Sequence, residues 1–231
     1  MNISNSLKNR TKIAIASTRF SPSHRVNSGP KKWYSILIIA GIVSGVWAGS
    51  LSADERIILA PDTPDSKIVR MHPKNVDPSQ LPLDSIKELH TTGHPIVVDI
   101  KKWRLEVKGP MVNNPVLLGY EDLTNMVMIK KNVLLICPGF FADYAEWEGV
   151  PLSDLLKEVE AERNYKKITF HSMDGYSTSF DREEIKRNLF FLALKVNGET
   201  LPREHGFPVR LVAEDFYGGR WVKWIKAIEV Q

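Results

Sequence analysis

"LLICPGFFADYAEWEGVPLSDLL", residues 134–156, holds the only cysteine of the chain, at the end of an apolar run and directly before Pro138 and Gly139. The surrounding "NVLLICPGFF" is apolar at odd and even positions alike, which predicts a central strand, buried on both faces and ending at Cys137. Pro-Gly breaks such a strand, so the thiol is presented where the chain turns. A lone cysteine forms no internal disulfide, which leaves packing, nucleophilic chemistry, metal ligation or a bridge to another molecule.

Working outward, Pro151 opens a predicted helix over residues 151–163 with Leu152, Leu155, Leu156 and Val159 on one face. Trp147 and the following "GVPL" are expected to pack a turn behind the cysteine. "KKITFHS" (166–172) predicts a strand, Asp174-Gly175 a turn, and "DREEIK" (181–186) a short helix with Asp181 and Glu184 at capping-box spacing. "LFFLALKV" (189–196) and the stretch ending "KWIKAIEV" (223–230) predict two further strands, with turns at Asn197-Gly198 and Tyr217-Gly218-Gly219. Upstream, "IVVDIKKWRLEVKG" (96–109) alternates through Trp103, Leu105 and Val107 before Gly109-Pro110. Strands dominate, short helices intervene and regular strand-helix alternation is absent. The fold class is therefore α+β with strand-rich mixed sheets, not a doubly wound one.

The charge is unevenly spread. Residues 1–33 contain Lys8, Arg10, Lys12, Arg19, Arg25, Lys31 and Lys32 and no acid, while the whole chain is net +4, so the remainder is about −3. A nucleic-acid-binding domain is not indicated. Next comes "WYSILIIAGIVSGVWAGSL" (33–51), uncharged and with aromatic residues near both ends, long enough to cross a hydrocarbon core about 30 Å thick. The expected organisation is a basic cytoplasmic segment (1–33), a transmembrane anchor or signal sequence (34–51), an acidic, proline-punctuated linker (52–70) and a globular domain (71–231). By the positive-inside rule that domain lies outside the cytoplasm, as in a periplasm.

Most catalytic patterns fail: there is no Walker loop, dinucleotide glycine fingerprint, HExxH, CxxC or Gly-x-Ser-x-Gly. His90 and His94 are four apart, but Gly93 and Pro95 break the helix that would aim both at one metal. What remains is the thiol plus two downstream polar segments, "REHGFPVRLV" (203–212) and "YGGRWVKW" (217–224). A thiolate is a soft metal ligand. Backbone amides near Gly218 and Gly219, with Arg210, Arg220 and Lys223, would cradle a phosphate. Together they point to a cofactor that carries both a metal and an anion.

From about residue 80 to 230 the chain resembles the molybdopterin-binding domain of the sulfite oxidase family of oxidoreductases. The resemblance rests on the cysteine segment followed by "WEGVPLSDLL", then "DGYSTSF", "HGFPVRLV" and "YGGRWVKWIKAIEV", in that order. It implies a mixed, strand-rich fold, a molybdenum held by one molybdopterin and by Cys137, and two-electron oxygen-atom transfer. By the same resemblance His205 and Arg210 contact the pterin and its phosphate, and Gly218, Gly219 and Arg220 form a cofactor-binding turn in which Arg220 replaces the usual lysine. Lys223, Ser172 and His94 are further cofactor contacts, and Asp143 and Tyr144 are the catalytic candidates beside Cys137. The upstream "ELHTTGHPIVVDI" (88–100) lacks the arginine with which sulfite oxidases bind their anion, so a sulfoxide or another small oxide is expected in place of sulfite. Without a haem or immunoglobulin-like dimerisation domain, electrons are expected to pass to or from a separate cytochrome or membrane partner. Lys31-Lys32 stand where exported members carry twin arginines. The competing reading is a membrane-anchored binding or assembly module that keeps the fold without a catalytic metal.

Overall fold

A computed structural model describes residues 56–231; segment 1–33 and the apolar segment 34–51 lie outside the described residues. Among the described residues no helix is long and apolar enough to cross a membrane. The chain runs β1 (Ile57–Ile58), α1 (Asp65–Ile68), β2 (Val76–Asp77), β3 (Leu105–Lys108), β4 (Val116–Leu118) and α2 (Tyr120–Thr124). It continues through β5 (Ile129–Cys137), β6 (Phe141–Pro151), α3 (Leu152–Glu158), β7 (Lys167–Ser172), β8 (Ser177–Asp181) and α4 (Arg182–Arg187). β9 (Phe190–Val196), β10 (Glu199–Thr200), β11 (Arg210–Ala213) and β12 (Ile225–Val230) complete it.

Two five-stranded sheets share one apolar core, as the α+β reading expects. One has the order β10-β9-β6-β5 with β11 also on β9; the other has the order β4-β3-β12-β7-β8. The second is mixed, because β12 runs parallel to β3 and antiparallel to β7. Leu105, Ile168, Phe170 and Ile228 from that sheet meet Val133, Trp147, Leu192 and Leu211 from the first. Gly149 allows β6 and β9 to approach at an irregularity in their register: a Cβ there would stand 2.0 Å from the Leu192 carbonyl oxygen.

β5 ends at Cys137 as expected, but it is not central. It lies at the end of its sheet, paired only with β6. Its two apolar faces have separate covers: Val133 and Leu135 enter the main core, whereas Leu134 and Ile136 join a second cluster with Leu59, Ile68, Val69 and Val76. Residues 57–70, expected to be linker, thus contain β1 and α1 and bury Leu59, Ile68 and Val69.

Three local expectations also change. The turn behind the cysteine is present at residues 138–140, and Trp147 and Gly149–Pro151 lie further along, within the eleven-residue β6. α3 stops at Glu158, because Ala161 bridges back to Val112 and its N–H returns to the Leu156 carbonyl. Only residues 105–108 of the stretch 96–109 pair as a strand, since Lys102 and Trp103 donate to the Asp99 carbonyl and form a turn. The capping box is present: Glu184 N–H donates to Asp181 Oδ1 at 2.7 Å and Asp181 N–H to Glu184 Oε2 at 2.9 Å.

Candidate active site

Cys137 closes β5, partly exposed, and the reversal behind it uses Gly139 at φ +76°, a left-handed conformation that glycine adopts without strain. Antiparallel register sets Phe141 opposite Cys137 and Asp143 opposite Leu135, so Asp143 lies on the same face as the thiol, diagonally across the hairpin. Asp143 is 4% exposed. It accepts the His90 backbone N–H at 3.1 and 3.2 Å and pairs with His90 Nδ1 at 2.8 Å, while the imidazole stacks on Phe141 with centroids 4.6 Å apart. Burial pushes the Asp143 carboxyl up, against the pull of its His90 hydrogen bonds. Burial, and then the charge of Asp143, also pushes the Cys137 thiol up.

Three basic side chains gather on the downstream segments. Arg210 opens β11, 7% exposed, with its guanidinium over Trp147 at 5.1 Å and Trp221 at 5.5 Å. It donates one hydrogen bond, from Nη1 to the His205 carbonyl at 3.3 Å, and its buried Nε has no partner. Burial brings its pKa down to about 10. His205, 3% exposed, ends the short turn Arg203–His205; burial and then the Arg210 charge take its pKa down to about 4. Lys223 donates to the Thr92 carbonyl and, at 3.0 Å, to that of Glu204, and it lies 4.5 Å from the Trp224 ring centre. Burial and then the Arg210 charge take it down to about 8. Gly206, at φ +114°, permits this crowding, since a Cβ there would come within 3.0 Å of Lys223 and 3.2 Å of Arg210. Burial holds each of these groups below its ordinary value, and the Arg210 charge adds to it at His205 and Lys223, an arrangement that an anion would relieve.

Other candidates divide. The turn Gly218–Arg220 packs against β5, where a Cβ on Gly218 would meet Leu135 at 2.7 Å, while Gly219 faces open space. Tyr176 ties this turn to residues 173–176 through its hydroxyl, which donates to the Gly219 carbonyl at 2.6 Å. Arg220 does not join the cradle. Its guanidinium chelates Glu184 at 2.6 and 3.1 Å, donates to the Ser179 carbonyl and stacks 3.9 Å over Phe180. This pairing holds the Glu184 carboxyl below its usual range. Ser172 is buried at the end of β7, and its Oγ accepts the Asp174 N–H of its own turn at 3.3 Å. Tyr144 is corrected by strand alternation: one residue beyond Asp143, it belongs to the second apolar cluster on the opposite face. His94 is exposed, His90 is engaged by Asp143, and no group of three or more His, Cys, Asp or Glu placed to hold a metal exists among the described residues. Sequence reasoning missed the indole bed of Trp147 and Trp221 and the pairing of His90 with Asp143, contacts for which no local motif exists.

The profile of the oxidoreductase molybdopterin binding domain matches residues 91–231. The chain belongs to this family. It is 30% identical over 155 residues to "Uncharacterized oxidoreductase YuiH" of Bacillus subtilis, a match covering 67% of this chain and 78% of that one. It is also 30% identical over 157 residues to "Protein-methionine-sulfoxide reductase catalytic subunit MsrP" of Gluconobacter oxydans, covering 60% of this chain and 48% of the relative. Among solved structures it resembles the sulfane dehydrogenase SoxCD from Paracoccus pantotrophus, with a TM-score of 0.55 and 26% identity over 59% of this chain and 40% of that one. The chain is thus a molybdopterin-dependent oxidoreductase of the sulfite oxidase family, with molybdenum and molybdopterin as its cofactor. The site fits such a group on its own evidence. A thiol stands at a strand end, and a fully buried guanidinium has an orphaned Nε, which an anionic phosphate would satisfy.

Proposed function

We propose that the chain catalyses two-electron oxygen-atom transfer on a sulfoxide or another small neutral oxide, exchanging electrons with a separate redox protein. The observation that carries this reading is the buried basic cluster of Arg210, His205 and Lys223, with the Arg210 Nε unpartnered, in the fold that presents Cys137. When bound, the molybdenum centre supplies the two-electron oxygen-atom chemistry. The chain contributes the rest: Cys137 Sγ to hold the metal, the Arg210 Nε and Nη groups and His205 to meet the pterin and its phosphate, and the Gly218 and Gly219 amides to line the cradle. Lys223 faces the same charge while fixing residue 92 to residue 204. Asp143, on the thiol face with its carboxyl pushed up by burial, holds His90 in place through the His90 Nδ1 and backbone N–H.

In the reductive direction the balance is one sulfoxide, two electrons and two protons giving one thioether and one water: the S–O bond breaks, sulfur keeps the electron pair and oxygen leaves with both protons. One feature favours a neutral substrate over sulfite, the absence of arginine from residues 88–100; the relatives include methionine-sulfoxide reductase beside sulfite oxidase and nitrate reductase. The apolar segment 34–51 would anchor the enzyme, with the domain on the extracytoplasmic side.

The test is the metal and pterin content of the full chain made in a cofactor-producing host, beside Cys137→Ser. We expect near-stoichiometric molybdenum and pterin in the parent, an altered metal spectrum in the variant, and viologen-driven reduction of methionine sulfoxide by the parent alone. Well-folded parent lacking both metal and pterin would refute the cofactor site, and a loaded parent that turns over sulfite but no sulfoxide would refute the substrate class.

A further inference from the structure

The family profile begins at residue 91, yet residues 56–90 are folded along the hairpin that carries Cys137. The reason lies in the sheet. β6 meets β9 only from Trp147 onward, so the edge of residues 141–146 that faces away from β5 has no strand partner. Asn197 takes up Glu146 on that edge, and an upstream residue outside any strand takes up Tyr144. Asp84 N–H donates to the Tyr144 carbonyl at 2.8 Å, and Asp84 Oδ2 accepts the Tyr144 N–H at 2.7 Å, closing a two-bond bridge on that edge. Asn197 holds Asp84 in turn, through Nδ2 donating to the Asp84 carbonyl at 2.9 Å. At the tip, the Val69 carbonyl accepts the Gly139 N–H at 3.0 Å, within the reversal that follows Cys137. Between these two points Leu59, Ile68, Val69 and Val76 cover Leu134, Ile136, Ala142 and Tyr144. On the thiol face the same segment ends with His90 bonded to Asp143.

We propose that residues 56–90 are a positioning strap: they hold the reversal at residues 138–140, and with it the orientation of the Cys137 side chain, with Asp84 and Ile68 as the positioning residues. A two-stranded hairpin end without further cover is marginally stable in water, and its tip frays. A ligand side chain has to stay within about 0.5 Å of its productive position, which a fraying tip does not provide. The strap therefore extends the functional unit upstream of the family domain. It acts through Cys137 and touches no reacting atom. Its catalytic consequence rests on the reading of Cys137 as metal ligand, whereas its effect on the thiol belongs to the chain alone.

The test reads the thiol in the full chain prepared without cofactor, at a temperature well below unfolding, as the rate of Cys137 alkylation by iodoacetamide. Asp84→Ala removes the bridge, and Ile68→Ala opens the cover. Asp84→Asn keeps an acceptor oxygen, and Ile168→Ala makes the same truncation in β7 of the other sheet. We expect Asp84→Ala and Ile68→Ala to raise the rate about tenfold, as the loss of a charge-assisted hydrogen bond or a buried side chain increases local opening. Asp84→Asn should stay within about threefold of the parent, and Ile168→Ala within about twofold despite its lower Tm. If the strap variants alkylate no faster than Ile168→Ala at matched loss of Tm, the proposal is overturned. Should Ile68→Ala fail to fold, Leu59→Val, a smaller truncation on the same cover, gives the same comparison. Because the rate is read on cofactor-free protein, it is independent of the parent's molybdenum and pterin content, on which the proposed function stands or falls.

Discussion

Replacing Arg210 with methionine should change the stability of the cofactor-free protein little and should strip the cofactor-loaded protein of its pterin. In the fold the guanidinium is 7% exposed, and its pKa is brought down to about 10, chiefly by burial. The shift corresponds to a folded-state penalty of roughly 3 kcal/mol, at about 1.36 kcal/mol for each tenfold change. The sign follows from linkage: a cation with a depressed folded pKa carries its full penalty at neutral pH, and the penalty fades only as pH rises from the folded to the unfolded value. Set against it are two indole contacts, about 0.5–2 kcal/mol each, and one long neutral-acceptor hydrogen bond of about 1 kcal/mol. Methionine keeps much of the volume between Trp147 and Trp221, and Asp143 loses only the weakest of the influences on it. These terms nearly cancel, leaving between about 1 kcal/mol in favour of methionine and about 2 against it, so cofactor-free Arg210→Met should melt between about 4 °C above and about 8 °C below the parent, taking about 2–4 °C per kcal/mol for a domain of this size. Made in a cofactor-producing host, the same variant should retain at least about a hundredfold less pterin, the equivalent of one or two charge-assisted hydrogen bonds. Thermal and urea melts of the two preparations, with pterin content by fluorescence after oxidation, measure both effects. A cofactor-free variant less stable than the parent by more than about 2 kcal/mol would refute the reasoning, because Arg210 would then be a structural cation.

The remaining predictions concern the same frame. His205 has a folded pKa of about 4 against an ordinary 6.5, so the stability it secures is complete above pH 6.5 and is lost as pH falls toward 4. Urea melts should show about 3 kcal/mol of loss over that window from this group, and His205→Asn should flatten the profile; superimposable profiles would contradict the assignment. Gly149→Ala should cost more than about 3 kcal/mol, because its Cβ would fall 2.0 Å from the Leu192 carbonyl oxygen; a loss below about 1 kcal/mol in urea would mean that β6 and β9 can separate freely. Arg220→Lys loses the two-point contact with Glu184 and should lower Tm by about 2–4 °C with pterin content unchanged. A drop in bound pterin would return Arg220 to the cofactor cradle.

The sequence by itself determined the fold class, the strand ending at Cys137, the capped helix at Asp181 and the family. These are carried by local signals: apolar runs, turn residues, cap spacing and motifs in a fixed order. It also brought out Arg210, His205 and Lys223, which the fold gathers into one basic cluster, and Asp143 and Gly218, which it sets against the strand of the thiol. Only the tertiary structure decided which neighbouring residues face that site. Strand alternation sends Asp143 to the thiol side and Tyr144 to the opposite one. Arg220 and Lys223 share a short motif, yet Glu184, 36 residues before Arg220, draws the arginine away. Residues 56–70 have the composition of a linker and become structure because β6 leaves an unpaired edge and β5 an apolar face for the upstream chain to cover. An apolar run records that it will be buried and carries no record of what buries it, since burial is non-directional and the covering residues can come from any point along the chain.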